Sequence, residues 1–288
     1  MECNLPDLTD IQNHRIREIL EETNVFDSQS ICPEICKIEK SKKNLVLSIS
    51  PNAKRPIVLK LFSSADSLQN EKKIYSFGQK NIFSKSDNLP EIKYAIPELI
   101  HKGDDYIITQ YIQGENTMDM FTTQMEDPWN QPLLQQVITD LLQWVIRFSN
   151  VYKLVPLDCH IRNFILHQDT IYGVDFEELG VSDEKSLLKV FATLYFSILG
   201  AYPGVIEGLK LTEKAKIGVY LIRRILLSPE FQDIPITQII PSFLEYVRTE
   251  AAAVVQRRIN LDRGQGYNTQ KIKENLDYVF SYIRSDFT

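Results

Sequence analysis

Three polar side chains follow one another at short spacing in the middle of the chain. Asp158 is followed five residues later by Asn163, and Asp175 comes twelve residues after that. Between Asn163 and Asp175 lie two apolar runs, Phe164–Leu166 and Ile171–Val174, which predict a hairpin. A carboxylate can orient a hydroxyl and accept its proton, while an amide oxygen and a second carboxylate suit a magnesium ion. The pattern therefore predicts metal-assisted phosphoryl transfer.

A purely structural explanation of these residues competes with the chemical one. Asp and Asn are common in loops because their side chains form turns and helix caps, so Asp158 and Asn163 alone are weak evidence. Asp175 changes the balance because it ends an apolar run that is typical of a strand. A carboxylate in such a place is costly to bury without a positive partner or a metal ion. The two elements together favour a functional site.

The segments Asp158–Asn163 and Asp175–Glu177 resemble the D-x-H-x-x-N and D-(F/W)-E signatures of aminoglycoside phosphotransferase-like and choline kinase-like enzymes. These enzymes are relatives of the protein kinases. The resemblance implies an α+β fold, bilobal and protein kinase-like, with a small β-rich amino-terminal lobe and a larger, mostly helical carboxy-terminal lobe. It also implies that Asp158 is the catalytic residue and that Asn163 and Asp175 are magnesium ligands. Glu177, where protein kinases carry Gly, favours the small-molecule branch.

Such a fold requires a phosphate-contacting Lys in the first lobe, and Lys60 is the candidate. It lies inside Arg55–Phe62, a run of mostly apolar and β-branched residues that predicts a mostly buried strand. The helix predicted after it carries Glu71 on the same face as Leu68 and Ile74. The resemblance implies that Lys60 contacts the nucleotide phosphates and that Glu71 holds it. Alternatively, Lys60 is a solubility charge on an edge strand and Glu71 belongs to a solvated charge cluster.

The segment that ends in Gly114 resembles the connection between the two lobes of these enzymes. Adenine binds there through main-chain groups, so an extended backbone edge matters more than side-chain identity. We expect nucleotide contacts near Gln110 and Ile112, with Thr109 behind the base. The alternative is an ordinary core strand that ends in a turn.

One departure from the family concerns the hairpin expected within Cys36–Ile49. No glycine occurs before Gly78, so this hairpin lacks the Gly-rich turn that lets backbone amides approach phosphate closely. Polar side chains in Ser41–Asn44 are the available substitutes. The absence of glycine leaves open a weaker affinity for ATP, a different nucleotide, or a degenerate kinase.

Composition and periodicity describe an ordinary folded chain. The 288 residues include 43% hydrophobic side chains and carry a formal charge of −6, which does not predict nucleic-acid binding. No apolar run approaches the ~18 residues of a membrane span, and the amino terminus lacks the features of a signal peptide, so we expect a cytoplasmic protein. Helical spacing predicts helices over Leu133–Val151, Leu187–Leu199, Glu213–Leu227, Ile236–Val255 and Thr269–Arg284.

We expect three segments: an amino-terminal helical extension over residues 1–30, a nucleotide-binding lobe over 31–113, and a catalytic and acceptor-binding lobe over 114–288. The expected activity uses ATP and Mg²⁺ to phosphorylate a hydroxyl of a small molecule. A protein Ser/Thr kinase and a nucleotide-binding pseudokinase without turnover are the alternatives. The sequence does not select the acceptor.

Overall fold

The computed structural model describes residues 8–23, 34–37, 44–50, 55–77, 82–85, 92–124, 131–201, 208, 210–260 and 268–288. Their helices are α1 (Asp10–Glu22), α2 (Ala65–Ser76), α3 (Thr117–Gln124), α4 (Gln131–Tyr152), α5 (Glu184–Ala201), α6 (Leu211–Leu226), α7 (Ile236–Asn260) and α8 (Thr269–Asp286). Their strands are β1 (Glu34–Lys37), β2 (Leu45–Ser50), β3 (Ile57–Leu61), β4 (Ile82–Lys85), β5 (Lys93–Ala95), β6 (Leu99–Lys102), β7 (Tyr106–Gln110), β8 (Glu115–Asn116), β9 (Leu154–Pro156), β10 (Phe164–His167), β11 (Thr170–Gly173) and β12 (Leu179–Val181). Two short 3₁₀ turns cover Ile161–Asn163 and Pro229–Phe231.

The chain divides into two compact units. The first unit comprises Met1–Asn81 and Pro97–Gln113, and the second comprises Ile82–Ile96 and Gly114–Thr288. Among the described residues, the first contains a five-stranded sheet and two helices, whereas the second contains six helices, another five-stranded sheet and a two-stranded sheet. This confirms the α+β class with a small β-rich part and a larger, mostly helical part. The segment boundaries expected from the sequence differ at Ile82–Ile96, which belongs to the second unit.

The sheet of the first unit is antiparallel, with the strand order β1-β2-β3-β7-β6. Strand β3 is therefore central, and Lys60 pairs with Val46 on one side and with Ile107 on the other. Because side chains alternate between the faces of a strand, Leu59 and Ile108 point to the face opposite Lys60. That opposite face is apolar and forms the core of the unit.

Helix α1 covers this apolar face. Thr9 caps it, since the Thr9 hydroxyl accepts from the backbone N–H of Gln12 and the Gln12 side chain accepts from the backbone N–H of Thr9. Ile16 and Ile19 are fully buried in the core of the sheet. Helix α1 therefore covers the sheet of the first unit on the side opposite Lys60.

The second unit is organised around the long helix α4. The predicted helices of the carboxy-terminal half are confirmed as α4 to α8, each with ends that differ by a few residues. Trp144 of α4 is buried, stacks on Phe148 at 4.9 Å between ring centroids, and meets Phe164 edge-on at 5.1 Å. Its indole N–H donates to the carbonyl of Ala95 at 3.0 Å, which fixes β5 against α4. The helix thereby packs against the hairpin that carries the candidate site.

The predicted hairpin is confirmed as β10 and β11. These strands pair antiparallel from Phe164 opposite Gly173 to His167 opposite Thr170. Strand β8 extends the sheet beside β10, and β5 joins β11 in parallel. A Cβ at Gly173 would lie 2.1 Å from the Trp144 ring, so only glycine fits at this end of β11. Strands β9 and β12 form a separate two-stranded sheet next to the same loop.

Candidate active site

In the first unit, Lys60 and Glu71 form a buried ion pair. The Lys60 Nζ lies 2.8 Å from Glu71 Oε2, and the two side chains are 10% and 6% exposed. Lys60 stands on the central strand β3, and its ammonium group also lies 4.9 Å from the centroid of the Phe62 ring. The alternative of an edge-strand lysine and a solvated Glu is therefore wrong. A buried pair of this kind is costly to break, since either charge alone would remain buried without compensation.

Local sequence explains how α2 brings Glu71 to Lys60. The Ser64 hydroxyl accepts a hydrogen bond from the backbone N–H of Ser67 and so caps the helix. Leu68, Glu71 and Ile74 are the buried residues of α2, and their spacing places them on one face. Glu71 thus faces inward with the apolar stripe, as predicted.

The segment that is expected to hold adenine lies at the end of β7. The backbone N–H of Gln110 donates to the carbonyl of Glu98 at 2.9 Å, and that of Tyr111 donates to Pro56 at 3.2 Å. Thr109 and Ile112 are buried. Two of the backbone amides in this segment are therefore used within the unit, and the contacts of Gln110 and Ile112 with a nucleotide stay predictions. The glycine-free turn expected to cover the phosphates falls on residues 38–43, outside the described residues.

In the second unit, Asp158 lies in the loop between β9 and β10, with its side chain 33% exposed. Its Oδ1 is 3.1 Å from His160 Nε2, and its Oδ2 is 3.7 Å from the guanidinium of Arg162. The neighbouring thiol of Cys159 is fully buried, and burial, together with the Asp158 carboxylate, raises the pKa of Cys159 far above its usual range. Cys159 is therefore a neutral packing residue, while the Asp158 carboxylate is accessible to a hydroxyl.

Asn163 is bound tightly to the same loop. Its side-chain Nδ2 donates to the carbonyl of Asp158 at 2.8 Å, and its backbone N–H donates to His160 at 2.9 Å. Its own carbonyl accepts from Val174 at 2.8 Å. Oδ1 is the atom of this amide that can ligate a metal ion, and the bond made by Nδ2 fixes the orientation of the amide. The structure thus brings Asp158 and Asn163 together and joins Asn163 to the residue before Asp175.

Asp175 directly follows the hairpin and has an unusual backbone. Its φ of 74° lies in the left-handed region, which non-glycine residues seldom adopt outside turns and functional sites. The next residue, Phe176, is buried and stacks on Phe148 with 5.4 Å between ring centroids. This anchor fixes the chain on one side of Asp175, and the bond from Val174 to Asn163 fixes it on the other. The strained conformation is held by its surroundings.

Three residues that the sequence reasoning missed fasten the loop. Ser197 of α5 accepts from the backbone N–H of Ile161 at 3.0 Å, Thr117 donates to the carbonyl of Ile161, and Asn116 donates to the carbonyl of Arg162 at 2.7 Å. Asn116 and Thr117 look in sequence like an ordinary helix start, and Ser197 is one polar residue inside an apolar helix. Their partners lie 36 to 46 residues away, so no local signal identifies them.

The oxygen atoms of Asn163 and Asp175 fit a magnesium ion. Magnesium prefers oxygen ligands and is commonly held by one or two carboxylates together with substrate phosphates. Within the part of the chain that the structure describes, no cluster of three or more His, Cys, Asp or Glu side chains forms a metal site by itself. Asn163 and Asp175 would be the protein ligands, and Lys60 would neutralise phosphate charge.

None of the described helices is long and apolar enough to cross a membrane.

Comparisons with known proteins give one similar sequence and several distant structures. A protein of Bacillus subtilis (strain 168) described as "Probable serine/threonine-protein kinase YbdM" is 25% identical over 199 residues, which cover 62% of this chain and 75% of that protein. No family model matches the chain. A structure of WaaP in complex with acyl carrier protein is 13% identical, with a TM-score of 0.48 over 81% of this chain and 92% of that one. The Rv3197–erythromycin complex from Mycobacterium tuberculosis is 12% identical, with a TM-score of 0.44 over 84% and 79%.

The fold is identified from the molecule itself and from the similar sequence. A central strand carries a Lys paired with a Glu of the following helix. Farther along the chain, a loop with Asp and Asn precedes a hairpin that ends in a second Asp. This order is that of the kinases, and it supports a phosphotransferase. The chain has a protein kinase-like fold.

Proposed function

We propose that the protein is an ATP- and magnesium-dependent phosphotransferase that transfers the γ-phosphate to a hydroxyl of a small molecule. The observation that carries this proposal is the loop geometry around Asn163. Its amide nitrogen is committed to the carbonyl of Asp158 at 2.8 Å, which directs its oxygen away from that bond. The loop thereby offers one accessible carboxylate for a hydroxyl and one fixed oxygen for a metal ion.

Each residue then has one task in the transfer. The Asp158 carboxylate orients the acceptor hydroxyl and takes its proton as the oxygen attacks phosphorus. His160, 3.1 Å from Asp158 Oδ1, keeps that carboxylate in place. Asn163 and Asp175 would hold the magnesium ion, which would supply positive charge to offset the phosphates. Lys60, steadied by Glu71, offsets further phosphate charge.

Two sequence features support a small-molecule acceptor. The resemblance to aminoglycoside phosphotransferase-like and choline kinase-like enzymes places His160 two residues after the catalytic Asp, where that branch often has His. Glu177 stands where protein kinases carry the Gly of D-F-G, and its side chain is buried. Glycine at that position allows backbone freedom that Glu does not.

A second candidate is a protein Ser/Thr kinase. The observation that favours it is the sequence similarity to the B. subtilis protein, whose description names a serine/threonine-protein kinase. Against it stands the absence from the sequence of the H-R-D motif, since Pro156 and Leu157 precede Asp158. The two candidates share the site chemistry and differ only in the acceptor.

The first experiment tests the chemistry without knowledge of the acceptor. Wild type and Asp158→Asn are compared for slow ATP hydrolysis to water and for binding of ATP with magnesium by calorimetry. We expect the variant to bind like wild type, because Asp158 acts on the hydroxyl and not on the nucleotide, while hydrolysis slows by about two orders of magnitude or more. Nucleotide binding by wild type without hydrolysis and without transfer to any hydroxyl or protein acceptor, and no difference in the variant, would instead establish a pseudokinase.

A second experiment separates the two acceptor classes. Wild type and Asp158→Asn are each incubated with radiolabelled ATP and a possible acceptor. One set of reactions contains sugars, amino alcohols, nucleosides and aminoglycosides, and a second set contains generic protein substrates. We expect label that depends on Asp158 to appear in a small molecule. Label that depends on Asp158 only in protein would assign the protein-kinase activity instead.

A further inference from the structure

The short 3₁₀ turn Ile161–Asn163 is held by side chains that do not belong to the motif. The turn follows Asp158 and ends in the metal-ligand candidate Asn163, so its conformation affects where both residues lie. Asn116 and Thr117, at the start of α3, donate to the two consecutive carbonyls of this turn, those of Arg162 and Ile161. Two successive peptide groups are therefore fixed from one helix end.

Asn116 is bonded at both ends of its amide. Its Oδ1 accepts from the backbone N–H of Met118 at 3.0 Å, and its Nδ2 donates to the carbonyl of Arg162 at 2.7 Å. The first bond satisfies a free N–H of the first turn of α3, and the second reaches the loop. Asp could make only the first bond, because its carboxylate has no donor. Asn can therefore cap the helix and also bind the carbonyl of Arg162, whereas a helix start requires only the cap.

Thr117 makes its contact in a dry environment. Its side chain is fully buried, and so is that of Ile161, whose carbonyl it binds. A buried carbonyl that loses its donor is costly, because no water replaces the lost bond. The hydroxyl of Thr117 therefore holds the turn more firmly than an exposed contact would.

The start of α3 is itself fixed on the hairpin. Asn116 pairs with Ile165 and Glu115 with Leu166 through strands β8 and β10. At Gly114, an added Cβ would lie only 2.3 Å from the carbonyl oxygen of Leu166, so the chain passes the hairpin at close range. Asn116 and Thr117 therefore reach the turn from a rigid base.

We propose that Asn116 and Thr117 are positioning residues for the transfer step, which they serve by fixing the turn that orients Asn163 and the carbonyl of Asp158. The inference rests on the phosphotransferase function proposed above. Neither residue touches substrate or metal in this scheme. Loosening the turn misplaces the metal-binding oxygen, and small misplacements of catalytic groups cost rate far more than binding.

The test uses four variants of the full chain. Asn116→Asp keeps the helix cap and removes the donor to Arg162, and Thr117→Val removes the hydroxyl at nearly constant shape. Thr117→Ser restores the hydroxyl. Thr123→Val is the matched control, since the Thr123 hydroxyl is exposed and bonds within α3 to the carbonyl of Asp119 at 3.0 Å.

Three readouts are combined. Hydrogen exchange of the backbone over residues 157–166 reports the loop directly and does not depend on activity. ATP hydrolysis gives kcat and KM per folded molecule, and binding of Mn²⁺ in the presence of AMP-PNP reports the metal site. We expect Asn116→Asp and Thr117→Val to speed exchange of the loop, lower kcat by about tenfold or more, and weaken Mn²⁺, with KM for ATP changed less than about twofold. Thr117→Ser and Thr123→Val should behave like wild type.

Several outcomes would overturn the proposal. Unchanged exchange and unchanged kcat in Asn116→Asp and Thr117→Val would show that the contacts do not position the loop. Lower thermal stability with an unchanged kcat per folded molecule would show a merely structural role. Faster exchange, combined with a wild type that neither binds Mn²⁺ and AMP-PNP nor hydrolyses ATP, would overturn the proposed function as well and leave only the fastening of the loop.

Discussion

Two sets of candidate functional residues, one in each unit, are held by different physical means. Lys60 and Glu71 lie on a strand and a helix of one unit, and each compensates the buried charge of the other at 2.8 Å. Asp158 and Asn163 lie on a loop of the other unit, where bonds between side chains and backbone carbonyls fix the geometry and a third of Asp158 remains exposed. The Lys60–Glu71 pair therefore contributes to the stability of the fold, whereas Asp158 and Asn163 are positioned mainly by hydrogen bonds with the backbone of their loop.

This difference predicts which losses appear in stability and which in activity. A substitution in the ion pair leaves a buried charge and destabilises the fold. A substitution of Asp158 changes a side chain that is one third exposed and contributes little to packing. Four predictions test this contrast.

The largest expected effect is the loss of activity at Asp175. Both Asp175→Ala and Asp175→Gly should lower magnesium-dependent turnover on the order of 1,000-fold, because a metal ligand is lost. Asp175→Gly should be more stable than Asp175→Ala by up to about 1 kcal/mol, because glycine adopts the positive φ of 74° without strain. Steady-state kinetics and urea unfolding measure the two effects.

Asp183 provides a matched control for Asp175. It lies before α5 in the same unit, and its Oδ1 accepts from the backbone N–H of Ser186 at 2.7 Å as a helix cap. Asp183→Ala should lower stability by about 1 kcal/mol and leave turnover unchanged. Equal activity in Asp175→Ala and Asp183→Ala would show that Asp175 is not a ligand.

The next largest effect concerns stability at the ion pair. Lys60→Met and Glu71→Met should each lower the free energy of unfolding by about 3 kcal/mol, because the remaining partner stays charged and buried. The double variant should lose much less than the sum, since no charge is left uncompensated. Denaturant unfolding of the full cycle measures the coupling. If the losses of the two single variants simply added in the double variant, the two charges would not stabilise each other. The ion pair would then not differ from the loop in the way described above.

A smaller, pH-dependent effect is expected at Asp140 of α4. Burial raises the pKa of Asp140 to about 6, against hydrogen bonds from Gln136 and Tyr94 that lower it. Because the folded pKa lies above the unfolded one, this group stabilises the fold below about pH 4 and the contribution is lost as pH rises through about 6. Relative to wild type, Asp140→Asn should therefore gain stability as pH rises over this range. A constant difference in unfolding free energy across that range would contradict the raised pKa.

The smallest effect is expected at the exposed ion pair of α1. The Arg15 guanidinium binds both oxygens of Asp105 at 2.7 and 3.0 Å, and these bonds hold the pKa of Asp105 below its usual value. The side chains are 32% and 42% exposed, so Arg15→Ala should cost less than about 1 kcal/mol, and the cost should shrink at high salt. Thermal unfolding at low and high salt measures it, with His14→Ala as the more exposed control. If Arg15→Ala lost as much unfolding free energy as Lys60→Met, exposure would not explain the difference in strength between the two ion pairs.

Much of the site could be predicted because its signals are local. Asp158 and Asn163 are five residues apart, and the two short apolar runs after them are enough to predict a hairpin. Helical spacing predicted the inward face of Glu71, and the burial of the apolar stripe follows from the same spacing. The five carboxy-terminal helices were predicted for the same reason, since a helix that buries one face repeats its apolar residues at a fixed period.

Other features depend on contacts between distant parts of the chain, which no local pattern encodes. The parallel pairing of β5 with β11 assigns Ile82–Ile96 to the second unit, although the sequence placed this segment with the nucleotide-binding lobe. The partners of Asn116 and Ser197 likewise lie dozens of residues away.

The sequence by itself determined the types of the reacting groups, their order along the chain, and the helices and hairpin that carry them, because those depend on neighbours in the chain. The tertiary structure alone decided the conformation of Asp175, whose positive φ is held by the packing of Phe176 and the bond from Val174 to Asn163. It also decided the orientation of the Asn163 amide, since its Nδ2 donates to the carbonyl of Asp158. These outcomes are set by packing and hydrogen-bond geometry in three dimensions, where residues distant in sequence become neighbours.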